Sequence, residues 1–113
     1  MGTHCALGVK MKNGCIMGCY VHYDGYEDHM LPTIQNYLEL NTATGLAVLI
    51  ARAQTTGGIR FFGAVNSQVE FLEDGDPYVI TSENWEEDHH GTYAWYLVDH
   101  ETGNIDVRHK WAS

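Results

Sequence analysis

Gly18-Cys19-Tyr20-Val21-His22-Tyr23-Asp24-Gly25-Tyr26, running on into Glu27-Asp28-His29-Met30-Leu31-Pro32, is the stretch on which the reading of this chain turns. Apolar and aromatic residues lead up to Asp24-Gly25, a pair suited to a turn, and Pro32 suits the first turn of a helix. A strand therefore stops, turns and feeds a helix. His22, Tyr23, Asp24, Tyr26 and His29 gather where it ends. Gly25 is expected to take a positive φ there, and Asp24 to bond the backbone of the turn.

Upstream, residues 3–12 and 15–24 flank Asn13-Gly14, a strong hairpin signal because a type I′ turn needs positive φ at both central positions. That turn predicts a register in which Leu7 faces Tyr20 and Cys5 faces His22. Met11, Val9, Leu7, Cys5, Ile16, Tyr20, His22 and Asp24 then share the core face. Downstream, two helices are expected. One spans about 31–40, with Asp28 a candidate cap; the other spans about 44–54, capped by Thr42 or Thr44 and ended by Gly57-Gly58. Strand-like runs follow at 59–62, 68–72, 78–81, 92–98 and 105–109. The expected fold is α+β: an N-terminal β-hairpin, two helices, then an antiparallel β meander, with the helices packed on one face of the sheet. Residues 83–90, Glu-Asn-Trp-Glu-Glu-Asp-His-His, carry little apolar surface and are placed on an exposed loop.

A chain of 113 residues fits one domain, 1–113. Its formal charge of −9 argues against direct binding of nucleic acid or of anionic membranes. Cys5, Cys15 and Cys19 form no CxxC pair, and no leader or membrane-spanning run is apparent, so the expectation is a cytoplasmic protein with free thiols. Homo-oligomerisation stays open.

Three chemistries were weighed. Cys5 and His22, opposed across the hairpin, could share a metal ion with Asp24; the same geometry suits a bonded core histidine beside a small hydrophobe, and no metal or other cofactor is assigned. No catalytic residue is assigned either, because Cys5 faces the core and no Gly-rich phosphate loop, GxSxG or HExxH is present. Many planar rings, among them Tyr23, Tyr26, Trp85 and Trp111, could stack a nucleobase, and Arg52 or Arg60 could meet a phosphate. The expected ligand-binding set is Tyr23, Asp24, Tyr26, His29, Trp85 and Arg60.

Tyr20-Val21-His22-Tyr23-Asp24-Gly25-Tyr26 resembles a strand end found in a group of small proteins of bacteriophages and mobile elements, where it precedes an amphipathic helix. The specific likeness covers roughly residues 18–38. It implies a phage accessory protein and carries no activity with it; with the residues above, the expectation is a protein of the host cytoplasm that works by binding, against a bacterial defence or host system. The expected partner is a small nucleotide signal. The alternative is a basic host protein, blocked by acids that include Glu70, Glu73, Asp74, Asp76 and residues 83–88. A metal-dependent hydrolase comes third.

Overall fold

The computed structural model describes residues 3–73 and 75–110. Asp74 and Trp111, named above, lie outside the described residues. Among the described residues seven strands and one α-helical element follow in the order β1 (His4–Lys10), β2 (Ile16–Tyr23), α1 (Glu27–Thr56), β3 (Ile59–Phe61), β4 (Glu70–Phe71), β5 (Ile80–Thr81), β6 (Thr92–Asp99) and β7 (Ile105–His109), with a short 3-10 turn over Asn66–Gln68 between β3 and β4. They form a single mixed sheet, β4-β3-β2-β1-β6-β7, with β5 also paired to β2.

The expected two helices on an antiparallel meander are therefore replaced by one helical element on a mixed sheet. β2 and β3 run parallel because α1 carries the chain back between them, and β1 runs parallel to β6. That last pairing joins segments some ninety residues apart, beyond the reach of any local pattern. α1 consists of two helical runs that meet at a kink at one non-helical residue, Thr42 (φ 62°, ψ 172°), with no connecting loop, and the Thr42 hydroxyl accepts from the Gly45 N–H (3.4 Å) as the expected cap would. It begins at Glu27, after Tyr26 and with no side-chain cap, so Asp28 lies in the first turn rather than capping it and Pro32 lies inside the helix. Gly57 (φ 98°) ends it in the left-handed conformation that glycine tolerates best.

The hairpin forms with a register one residue away from the expected one: Cys5 faces Val21, Leu7 faces Cys19 and Gly8 faces Gly18. The turn explains the shift. Gly14 has φ 88°, while Asn13 is not among the residues with positive φ, so a type I′ turn is excluded. The Gly14 N–H donates to Met11 O (2.9 Å) and the Met11 N–H to Cys15 O (2.8 Å). This is a three-residue loop with a glycine bulge. A one-residue slip exchanges the faces of β2 relative to β1. Cys19 and Val21 now join Cys5, Leu7 and Val9 under α1, where Met30, Ile34, Tyr37, Leu46, Leu49 and Ile50 cover them. Each aliphatic side chain so buried is worth roughly 1.5–3 kcal/mol. Burying Tyr20, His22 and Asp24 there instead would have stranded polar groups.

The second face carries Ala6, Ile80, Trp85 and Trp95, with Ile16, Tyr78 and Leu97 packed around them. Trp85, expected on an exposed loop, is only 7% exposed. Gly8 and Gly18 face each other across the hairpin, and a Cβ at either would lie 2.7 or 2.9 Å from the Trp85 ring. The glycine pair is the floor on which the indole rests. Around Trp85, Glu83, Glu86, Glu87 and Asp88 do face solvent, as expected of an acidic loop. Among the described residues, no helix is long and apolar enough to cross a membrane.

Candidate functional site

Reversal of the β2 faces brings Tyr20 and His22 to the second side of the sheet, beside His4 on β1. There the rings form a continuous row. Tyr78 lies 4.9 Å from His90 and His90 5.1 Å from Tyr20 between ring centroids. Tyr20 is 5.6 Å from His4, His4 stacks on His22 at 4.8 Å and 17°, and His22 meets Tyr23 edge-on at 4.5 Å. A hollow of about 390 Å³ opens at one end of the row, lined by Tyr20, Tyr78 and His90 together with Gly57, Asp76 and Pro77.

The backbone of the loop before β6 places His90. Asp88 accepts N–H bonds from Gly91 (2.8 Å) and Thr92 (2.7 Å), and the bond from Thr92, followed by that from Gly91 and the nearby Lys110, holds its carboxyl below the usual range. His90 itself has φ 61°, so the turn that presents its ring is held by those bonds.

Hydrogen bonding fixes the tautomers of the central pair. His4 Nδ1 lies 2.6 Å from the His22 carbonyl, which can only accept, so Nδ1 carries the proton and Nε2 presents a lone pair. Tyr20 Oη lies 2.7 Å from His22 Nδ1. Burial, with smaller contributions from Cys5 and Tyr23, pushes the Tyr20 hydroxyl up to about 12, so it keeps its proton and donates to His22 Nδ1. His22 then carries its proton on Nε2. Among the described residues neither Nε2 atom makes a hydrogen bond, and neither is one of the fully buried atoms left without a partner, which are Trp95 Nε1 and His109 Nδ1. Of the two stacked imidazoles, one thus presents an acceptor and the other a donor.

A second tyrosine–histidine pair shows the contrast. Tyr78 Oη donates to His89 Nδ1 (2.8 Å), and His89 Nε2–H reaches the Trp85 carbonyl (3.3 Å). With both nitrogens used and 1% exposure, His89 holds the loop against the sheet and has nothing left to offer a ligand.

The expected ligand set is split by the structure. Tyr23 (44% exposed) ends the ring row, and Arg60 lies near enough for its charge to oppose that of His22. Tyr26 and His29 meet each other at 6.3 Å between ring centroids and make no ring contact with the row among the described residues. His29 Nε2 donates to the Phe62 carbonyl (2.9 Å), and its ring packs on Phe61 at 5.1 Å, so it ties α1 to the strand end. Trp85 is core. Asp24, not Gly25, takes the positive φ (56°), and among the described residues its carboxylate makes no hydrogen bond. Gly25 is needed for space, since a Cβ there would lie 2.7 Å from Thr3 O. Cys5 and His22 lie on opposite faces, so the set Cys5, His22 and Asp24 does not assemble, and no cluster of three metal-ligating side chains occurs among the described residues. His4, Tyr78 and His90 were not named as site residues. His4 was legible in principle, because the three-residue loop puts it opposite His22.

The chain matches no family model, no curated protein and no solved structure.

Proposed function

We propose that this chain is a non-enzymatic binding protein that holds a small nucleotide on the second face of its sheet, in keeping with a phage accessory protein that sequesters a nucleotide signal. The observation that carries the reading is the His4–His22 pair, locked in opposite tautomers with neither Nε2 atom hydrogen-bonded among the described residues. A nucleobase edge offers a donor and an acceptor close together and has a face that stacks on rings. The exposed Tyr23 ring beside the pair supplies such a surface. His22 stays neutral because burial, His4 and Arg60 all oppose its protonation, which keeps the donor–acceptor pattern intact near neutral pH.

The test is isothermal titration calorimetry with the four ribonucleosides and their 5′-diphosphates, against the native chain, His22→Phe and Tyr23→Ala. One base should bind selectively, and each substitution should weaken it at least tenfold while the thermal transition is retained. Selective binding that neither substitution weakens would place the base elsewhere, and no binding of any base-bearing probe at millimolar concentration would overturn the reading.

A further inference from the structure

Arg52, on α1, and Arg60, on β3, are both exposed and line one hollow of about 520 Å³ at the β3–β4 edge, together with Thr56, Val69, Glu70, Phe71, Leu72 and Glu73. The volume is that of a small-ligand site. The Arg52 guanidinium carbon lies over the Phe71 ring, 4.5 Å from its centroid, and both residues line the hollow.

Acids outnumber bases fifteen to six in this chain, yet neither of these arginines forms an ion pair among the described residues. Glu70 and Glu73 line the same hollow and still do not pair with them. By contrast, Arg108 and Lys110 are taken by Glu86 and Asp88. Two arginines lining one space, each with a planar fork of donors, suit an anion that has several oxygens spread over more than one centre. A diphosphate has that form.

Arg60 also connects this hollow to the ring row: β2 and β3 pair with Val21 opposite Ile59 and Tyr23 opposite Phe61, so His22 and Arg60 are neighbours on the same side of the sheet. We infer that the β3–β4 hollow seats the phosphate chain of a nucleoside diphosphate or a similar polyphosphorylated nucleotide, with Arg60 at the junction and Arg52 at the far end. The inference rests on the reading of the ring row as the base seat, and it narrows the ligand from nucleoside to polyphosphorylated nucleotide. The formal charge of −9 offers no long-range attraction to such an anion, so recognition falls to these two contacts, and the glutamates beside them disfavour a lone anion that cannot engage both arginines.

Three probes separate the two seats: the best-binding ribonucleoside, its 5′-diphosphate, and inorganic pyrophosphate, each titrated into the native chain, Arg52→Gln, Arg60→Gln and Arg52→Lys. The diphosphate should bind at least tenfold tighter than the nucleoside. Arg52→Gln should erase most of that difference while leaving nucleoside affinity and the melting temperature near native values, and Arg52→Lys should recover part of it. Arg60→Gln should erase the difference while also moving the His22 titration midpoint upward. Equal affinity for nucleoside and diphosphate, unaffected by the arginine substitutions, would overturn the phosphate seat and leave the base seat standing. Arginine-dependent binding of pyrophosphate without nucleoside binding would keep the phosphate seat and overturn the base seat. If no probe binds, both fall.

Discussion

His22 sits among three influences that disfavour its charge: burial first, then His4 stacked against it, then the Arg60 guanidinium, and together they hold its imidazole below the ordinary 6.5. In the unfolded chain those influences vanish, so at a pH between the two values the unfolded state binds a proton that the folded state does not. Stability from this site is therefore present in full above about 6.5 and is lost as the pH falls through that value toward the folded one. Titration of the His22 ring protons by NMR should give a midpoint below 6.5, and Arg60→Gln should move that midpoint upward. A midpoint above 6.5 in the native chain would remove the argument for a neutral donor at Nε2. At this scale the sequence was partly readable. The exposure of Tyr23 and Arg60 was readable, because a ring and a cation near a strand end are visible by type alone. The roles of Asp24 and Gly25 were interchanged, because a turn pair does not show which residue takes the positive φ and which is pressed against another strand (Gly25 against Thr3 O).

Within α1, Thr42 interrupts an otherwise helical run with φ 62° and ψ 172°, and it is exposed. A β-branched residue at positive φ is strained, at roughly 1–3 kcal/mol. Its compensation is slight: the Gly45 N–H reaches Thr42 Oγ1 at 3.4 Å. Glycine would adopt the same backbone without strain but loses more entropy on folding, about 0.5–1 kcal/mol. Thr42→Gly should therefore stabilise the protein by about 1 kcal/mol in urea unfolding, whereas a loss of that size would mean that the hydroxyl cap outweighs the strain. The same local ambiguity governs how far the elements could be read. The hairpin was evident from Asn13-Gly14 between two apolar runs, but that pair serves both a two-residue type I′ turn and the three-residue bulged loop. The two differ by one residue, so every cross-strand assignment shifted with the choice. The deciding information is non-local. Cys19 and Val21 must face α1, while Gly8 and Gly18 must meet beneath Trp85.

The whole molecule has two unlike faces: an aliphatic one closed by α1 and an aromatic one closed by residues 75–91. Local sequence pattern could not reveal the second cover, because the segment that makes it is mostly polar and anchors through Tyr78, Ile80, Trp85 and His89. That arrangement bears on the competing proposal, in which the acidic loop blocks a basic surface of a host protein. Its carboxylates are not equivalent. Glu83 and Glu87 are exposed and form no ion pair among the described residues, whereas Glu86 pairs with Arg108 at 2.6 Å and Asp88 accepts the N–H bonds that shape the His90 turn. Reversing all four charges would confound loss of binding charge with damage to the ring row. The informative variant is Glu83→Lys with Glu87→Lys, which should leave stability within about 0.5 kcal/mol of native, as expected for surface positions. If a charge-driven protein partner is the target, this double variant should bind it at least tenfold more weakly in pull-down titrations, with a flatter salt dependence, while nucleotide binding stays unchanged. If the ring row is the site, the double variant should behave as native, and Asp88→Ala should impair nucleotide binding by releasing His90. Loss of function in the double variant with nucleotide affinity intact would decide for the acidic surface.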